Sequence, residues 1–344
     1  MTIEWRQLRL PVLLLSVSLS LAATAQNQTV IDDPVYTRAQ RLVTIEKSRR
    51  LNLYCTGNGS PTVILDSGLG DSTKSWGLVQ PTISSTTCSC SYDRAGLGFS
   101  DPSARPGTSA NIVDDLHRLL AASGIQPPYV LVGHSLGGMN VKLYAETYPR
   151  EVAGLVFVDA SHEDMGKAIW KLDPDYQIKY VPYMESLQRC LRASPADFVA
   201  GSELAKTCLP ASSPRHSDAI NAVEAELGKQ HARLAAWISE QENVWFASAD
   251  QVRAAYRRFG DLPLIALTHE PFARTGTETQ ELRDAKNQVW IRLHNEIAGM
   301  STRGTRRTVE KSGHYIQLDQ PEAVSSAILE VVRAVSDRKA RILP

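Results

Sequence analysis

The chain has 344 residues, 43% of them hydrophobic and 22% charged, an ordinary globular balance with length enough for a large apolar core. Lys plus Arg number 37 and Asp plus Glu number 37, so the formal net charge at pH 7 is zero. Such a chain carries no strong field to gather nucleic acid or an anionic membrane, and no nucleic-acid motif offsets that, so no nucleic-acid partner is expected.

Residues 1–25 read as a secretory signal peptide. Arg6 and Arg9 precede an apolar run from Leu10 to Leu21, and Ala23-Thr24-Ala25 follows as a small-x-small cleavage site. The apolar stretch is short for a bilayer span. Cleavage after Ala25 is therefore preferred to a retained anchor, which predicts a secreted or periplasmic chain with no stable membrane insertion. Export also predicts pairing among the five cysteines, with one left over. Cys190 and Cys208 flank one short segment and form the first expected bridge; Cys55 with Cys88 or Cys90 forms the second. None has metal-ligand spacing, and no metal is expected. The sequons Asn27-Gln28-Thr29 and Asn58-Gly59-Ser60 would carry glycans only in a glycosylating host.

Five short apolar runs follow along the chain: Thr62–Asp66, Tyr129–Val132, Gly154–Val158, Pro263–Leu267 and Arg307–Glu310. Continuous runs of this length suit strands of a parallel sheet covered on both faces. Helical stripes lie between them. Ile112, Val113, Leu116, Leu119 and Leu120 form one, with Gly124 as its stop. Val324, Ile328, Val331, Val332 and Val335 form another, opened by Pro321. Strand alternating with helix predicts an α/β doubly wound sheet. Residues 161–260 break the rhythm: they lack β-like runs, and Ala219–Trp245 reads as helical throughout. This stretch is expected to be a helical cap inserted into a core made of residues 26–160 and 261–344.

Within the first core segment, Gly133-His134-Ser135-Leu136-Gly137 is a G-x-S-x-G directly after an apolar run. Its mechanical reading is a sharp strand-to-helix turn with the Ser135 hydroxyl at the tip and glycines where strand and helix nearly touch. A serine hydroxyl needs a base to become a nucleophile, usually histidine. Of the eight histidines, His314 stands out. It lies between the last predicted strand and the last predicted helix, which in a parallel sheet is the carboxyl edge that also carries Ser135. His134 reads as packing beside the turn.

Four stretches, 63–76 (VILDSGLGDSTKSW), 91–102 (SYDRAGLGFSDP), 127–149 (PPYVLVGHSLGGMNVKLYAETYP) and 312–324 (SGHYIQLDQPEAV), make the chain resemble an α/β-hydrolase-fold serine hydrolase. The resemblance implies a mostly parallel eight-stranded sheet flanked by helices, with the catalytic order Ser…acid…His. It implies an oxyanion hole made by the backbone N–H groups of Leu136 and Leu69. Many relatives carry His-Gly before the second donor; this chain has Asp66-Ser67-Gly68-Leu69. In most relatives the acid follows the strand here formed by Leu264–Leu267, and alignment puts Phe272 at that place. Glu270 lies slightly early and Asp284 well beyond. A second arrangement known among relatives places the acid at the end of the preceding strand, here Asp159. Asp159 is the preferred acid, with Glu270 and Asp284 as alternatives.

The remaining features take plainer readings. Tyr92-Asp93-Arg94 suits a salt bridge or loop brace. His162, Glu163 and Asp164 are adjacent on a loop and rarely converge on one ion in that arrangement. Trp170, Tyr176, Tyr180, Tyr183, Trp237, Trp245 and Phe246 suit either a substrate pocket or the cap's own core. The expected activity is hydrolysis of a small-molecule carboxylic ester through an acyl-enzyme, with no cofactor. A prolyl peptidase, a lactonase or thioesterase, and an inactive hydrolase-like binding protein are the alternatives. Ser135 argues against epoxide hydrolase or dehalogenase chemistry, which in this fold needs an aspartate nucleophile.

Overall fold

The computed structural model of the protein describes residues 29–342. The expected signal peptide, residues 1–25, and Asn27 of the first sequon lie outside the described residues. Eight strands form one sheet: β1 (Leu42–Glu46), β2 (Arg49–Thr56), β3 (Thr62–Asp66), β4 (Ser89–Tyr92), β5 (Tyr129–His134), β6 (Val152–Val158), β7 (Leu264–His269) and β8 (Gly304–Val309). Their order is β1-β2-β4-β3-β5-β6-β7-β8. The run from β4 to β8 is parallel, while β2 pairs antiparallel with both β1 and β4.

Among the described residues three α-helices precede β6: α1 (Gln80–Ser84), α2 (Ser109–Ser123) and α3 (Leu136–Thr147). Six lie between β6 and β7: α4 (Met165–Leu172), α5 (Pro174–Arg192), α6 (Glu203–Cys208), α7 (Asp218–Gly228), α8 (His231–Asn243) and α9 (Ala247–Ala255). The chain closes with α10 (Gln280–Ala298), the single turn α11 (Ile316–Asp319) and α12 (Pro321–Ile342). Among the described residues no helix is long and apolar enough to cross a membrane.

The five runs correspond to β3, β5, β6, β7 and β8, and for all but the edge strand β8 their alternation explains why they are continuous. Leu131, Leu155 and Phe157 face one core with Val113, Leu116, Leu119 and Leu120 of α2. Val130, Val132, Val156 and Val158 face the other, with Val324, Ile328, Val331 and Val332 of α12. A strand buried on both faces needs apolar residues at every position. Helix α2 stops where expected, at Gly124, whose φ of 76° is a left-handed cap.

Strands β1, β2 and β4 escape the sequence reading for physical reasons. Strand β1 is the sheet edge, and β2 beside it keeps Arg49, Arg50 and Asn52 among its side chains. Strand β4 is fully buried yet reads Ser-Cys-Ser-Tyr. Gln80 of α1 makes that tolerable, accepting from Ser91 Oγ at 2.7 Å and donating to the Ser89 carbonyl at 3.1 Å. Strand β8 begins at Gly304 rather than Arg307, because its outer half alternates exposed and half-buried residues at the sheet edge. The stretch Ala219–Trp245 is interrupted between Gly228 and His231; a Cβ on Gly228 would strike Pro210.

Two disulfides are present. Cys190–Cys208 ties α5 to α6 inside the helical insertion. Cys55–Cys90 joins residues directly opposed on β2 and β4. That register chooses Cys90 over Cys88, which is free.

Candidate active site

Ser135 sits between the end of β5 and the start of α3 with φ 51° and ψ −120°. A non-glycine residue held there stores about 1–3 kcal/mol of strain. The turn is closed tightly around it. The Ser135 carbonyl accepts from Gly138 N and from Ser161 N, each at 2.9 Å, and Ser135 N donates to the Val158 carbonyl at 3.3 Å. A Cβ on Gly133 would strike the Gly137 carbonyl, and one on Gly137 would strike the Asp66 carbonyl. The flanking glycines are therefore required by backbone approaching backbone.

His314 lies in the loop between β8 and α11. Its Nδ1 is 2.6 Å from Asp159 Oδ2. Asp159 follows β6, is fully buried, and holds φ 44°. Its second oxygen, Oδ1, accepts from the His269 backbone N–H at 3.1 Å and from Trp290 Nε1 at 2.8 Å. Burial pushes the Asp159 carboxyl up, but the His314 hydrogen bond and the neighbouring His294 and His269 rings outweigh it and hold the carboxyl below its ordinary range. The carboxylate is thus ionised and saturated with donors, and it holds the His314 ring through Nδ1, leaving Nε2 for other work.

The alternative acids are occupied elsewhere. Exposed Glu270 accepts from Lys311 N at 2.7 Å, and exposed Asp284 accepts from Gln280 Nε2 at 2.8 Å. Phe272 stacks on His269 with ring centroids 3.8 Å apart. Sequence reasoning missed Trp290 and His269 as partners of Asp159. Trp290 is on α10, 131 residues away, and no local pattern connects the two.

His134 is buried beside Ser135 and its Nε2 is 2.9 Å from the His314 carbonyl. Burial, with His314 next to it, pushes its pKa down to about 3. The ring is therefore neutral, and because a carbonyl can only accept, the proton sits on Nε2. This bond fixes the backbone of His314, so His134 supports the loop without entering the cavity.

Leu136 is the first residue of α3, so its N–H has no acceptor within the helix. Leu69 follows Gly68, where a Cβ would come within 2.7 Å of His134 Nδ1. The loop carrying Leu69 is clamped by buried Arg94. Its guanidinium donates to the Ser67 and Gly68 carbonyls at 2.7 and 2.6 Å and to Asp66 Oδ1 at 2.8 Å. It also donates to Glu240 Oε1 on α8 at 2.6 Å, and Glu240 Oε2 accepts from Gly70 N at 2.8 Å. Tyr92 adds a hydrogen bond to Asp66 at 2.9 Å. The Tyr92-Asp93-Arg94 stretch is a brace, and it reaches the helical insertion as well as the sheet.

Ser135, Leu136, Leu69 and His314 line one cavity of about 340 Å³, closed by Met165, Trp170, Trp245, Phe272 and Trp290. Of the insertion's aromatics, Trp170, Tyr176 and Trp245 face this space. Trp237 lines a larger neighbouring cavity, and Tyr180 and Phe246 pack with Trp170 at centroid distances of 6.2 and 5.6 Å. Glu163 pairs with Lys142 and Asp164 with Arg253, so these acids brace α3 and α9 against the loop after β6.

Comparison with known proteins bears on the fold. A family model described as the alpha/beta hydrolase fold matches residues 61–321. The chain is 24% identical over 276 residues to the protein YqjL of Bacillus subtilis, covering 80% of this chain and 85% of that protein. Among solved structures, a mutant of DbjA superposes with a TM-score of 0.65 at 16% identity, over 86% of this chain and 99% of that one. A thermophilic esterase from Thermogutta terrifontis superposes with a TM-score of 0.57 at 20% identity, over 87% of this chain and 99% of that one. At these identities the structural likeness is one of fold.

Proposed function

The chain belongs to the α/β hydrolase family, and on that premise we propose that it is an exported serine hydrolase cleaving carboxylic esters through an acyl-enzyme. The observation that carries the reading is the Asp159–His314 contact on the same cavity as Ser135 at its strained turn. A base oriented by a buried carboxylate, on one cavity with a serine at a strand-to-helix turn, is the constellation that acyl transfer uses.

In this proposal Ser135 Oγ attacks the ester carbonyl carbon while its proton passes to His314 Nε2. The Asp159 carboxylate keeps the imidazole oriented and stabilises the imidazolium that forms. The carbonyl oxygen becomes an oxyanion held by the Leu69 and Leu136 N–H groups. The C–O bond to the leaving alcohol breaks as His314 returns the proton to it. Water then repeats the sequence on the acyl-Ser135 ester and releases the acid. These steps use side chains and backbone alone.

Export is supported by the two disulfides, which persist in oxidising compartments. A small acyl group is supported by the 340 Å³ cavity, which is near the lower end of the range for ligand pockets, about 300–1,000 Å³. The test is the initial hydrolysis rate of the mature chain on p-nitrophenyl esters from acetate to palmitate, beside a Ser135→Ala control. Turnover of the shorter esters that vanishes in the control supports the reading. No turnover on any ester would overturn it in favour of peptide substrates, or of a binding protein if those also failed.

A further inference from the structure

Asp159 Oδ1, the oxygen not used by His314, has two donors: the His269 backbone N–H and the indole Nε1 of Trp290. The first is main chain. The second is a side chain from α10, and it does not reach the sheet alone. Asn287, Trp290 and His294 fall three and four residues apart, on one face of that helix. Asn287 accepts from the Phe272 N–H at 3.2 Å and donates to the Phe272 carbonyl at 3.0 Å. His294 Nε2 is 2.9 Å from the Ala160 carbonyl and its Nδ1 is 2.8 Å from Thr268 Oγ1. Burial pushes the His294 pKa down, so the ring is neutral. Since a carbonyl only accepts, its proton sits on Nε2, and Thr268 donates to Nδ1.

Two ring N–H groups on successive turns of α10 therefore hold two successive residues, Asp159 by its carboxylate and Ala160 by its carbonyl. The held segment is strained: Asp159 has φ 44°. Such a conformation persists only where its surroundings fix it. Turning Oδ2 away from His314 would also break the two bonds to Oδ1.

Resting on the serine-hydrolase reading, we infer that Trp290 is a positioning residue for the reaction: its indole N–H fixes the Asp159 carboxylate in the orientation that serves His314. The same ring lines the Ser135 cavity and stands edge-on to His314, with centroids 6.1 Å apart. Packing alone is thus the competing role, and the test must separate a lost donor from a changed wall.

The test is the rate at which a small alkyl fluorophosphonate labels Ser135. Ser135 Oγ bonds to phosphorus, fluoride leaves, and the hydroxyl proton passes to His314. This reaction needs the serine, base and acid whatever substrate the enzyme takes. Rates across pH give a maximal rate kinact, a half-saturating concentration KI and the acid limb that reports protonation of the Asp159–His314 pair. Trp290→Phe keeps an aromatic ring without the N–H. Its kinact is expected to fall by about tenfold to a hundredfold. Its acid limb is expected to move up by about one pH unit, because a carboxylate with one donor fewer holds an imidazolium more tightly. Phe272→Leu alters the wall of the same cavity without touching Asp159, and is expected to change KI with the limb in place. Should Trp290→Phe not fold, benzothienylalanine at position 290 keeps the shape of the indole with sulfur in place of the N–H, and is expected to show the same two effects. A change confined to KI, or an unmoved limb, in the position-290 variant would overturn the inference and leave Trp290 as a cavity wall. Labelling of the parental chain without turnover of any ester would overturn the ester reading and leave this inference standing. Absence of Ser135 labelling in the parental chain would overturn both.

Discussion

His314 Nδ1 and Asp159 Oδ2 are 2.6 Å apart although 155 residues separate them in the chain. The contact depends on β6 and β8 ending on the same edge of the sheet with only β7 between them. Asp159→Asn keeps the size of the side chain but removes the charge that orients the ring and stabilises an imidazolium. It is expected to lower kcat on a p-nitrophenyl ester by about 10³–10⁴-fold. Glu270→Gln and Asp284→Asn are expected to stay near the parental rate. A comparable loss in either of those, with Asp159→Asn active, would reassign the acid.

The strain at Ser135 gives a prediction about stability rather than rate. Glycine accepts positive φ without the Cβ penalty, whereas alanine keeps it. Ser135→Gly and Ser135→Ala both remove the hydroxyl, yet the glycine variant is expected to be more stable by about 1 kcal/mol. Urea unfolding midpoints of the two variants measure the difference.

His134 predicts a pH dependence. The unfolded chain binds its proton near the ordinary histidine value of about 6.5, while the folded chain does so only near about 3. Between those values the unfolded state holds more protons. Its stabilising contribution is thus complete above about 6.5, declines as pH falls, and levels off below about 3. From pH 7 to pH 5 the loss from this one group is about 2 kcal/mol. His134→Gln keeps a donor for the His314 carbonyl but cannot titrate. Its unfolding free energy is expected to fall by about 2 kcal/mol less than that of the parental chain over the same step. Equal losses would mean that folding does not change the proton affinity of His134.

Glu240 couples the helical insertion to the loop bearing Leu69. Removing one partner of a buried ion pair leaves the other charge uncompensated, at a cost of about 3 kcal/mol or more. Glu240→Ala is expected to destabilise the protein by about that amount. It is also expected to lower kcat by about tenfold or more, because the Leu69 N–H loses its tether. Glu240→Gln retains one acceptor oxygen and is expected to recover part of both effects. Urea denaturation and p-nitrophenyl acetate kinetics check the pair.

Much of the fold was legible because its signals are local. Tyr129–His134 and Val152–Val158 are apolar at nearly every position, since both faces of those strands are covered, and Ser109–Ser123 is bounded by a capping threonine and a left-handed glycine. The polar strands were not legible. Gln80, from another element, satisfies the buried Ser91 hydroxyl and the Ser89 carbonyl. At the candidate site, Gly133-His134-Ser135-Leu136-Gly137 marks a turn whose glycines are explained by backbone contacts a few residues away.

The sequence by itself determined the sheet class, the strand-turn-helix at Ser135 and the loop position of His314, because each follows from short-range pattern and chain order. Only the tertiary structure decided which of three carboxylates faces His314, that Trp290 shares that carboxylate, and that Arg94 binds the Leu69 loop to Glu240. It alone decided that a second cavity shares Leu69 and His314 with the first. Each of these depends on side chains from distant segments meeting within hydrogen-bond range. That distance is set by how the helices pack on the sheet, and no local pattern along the chain records it.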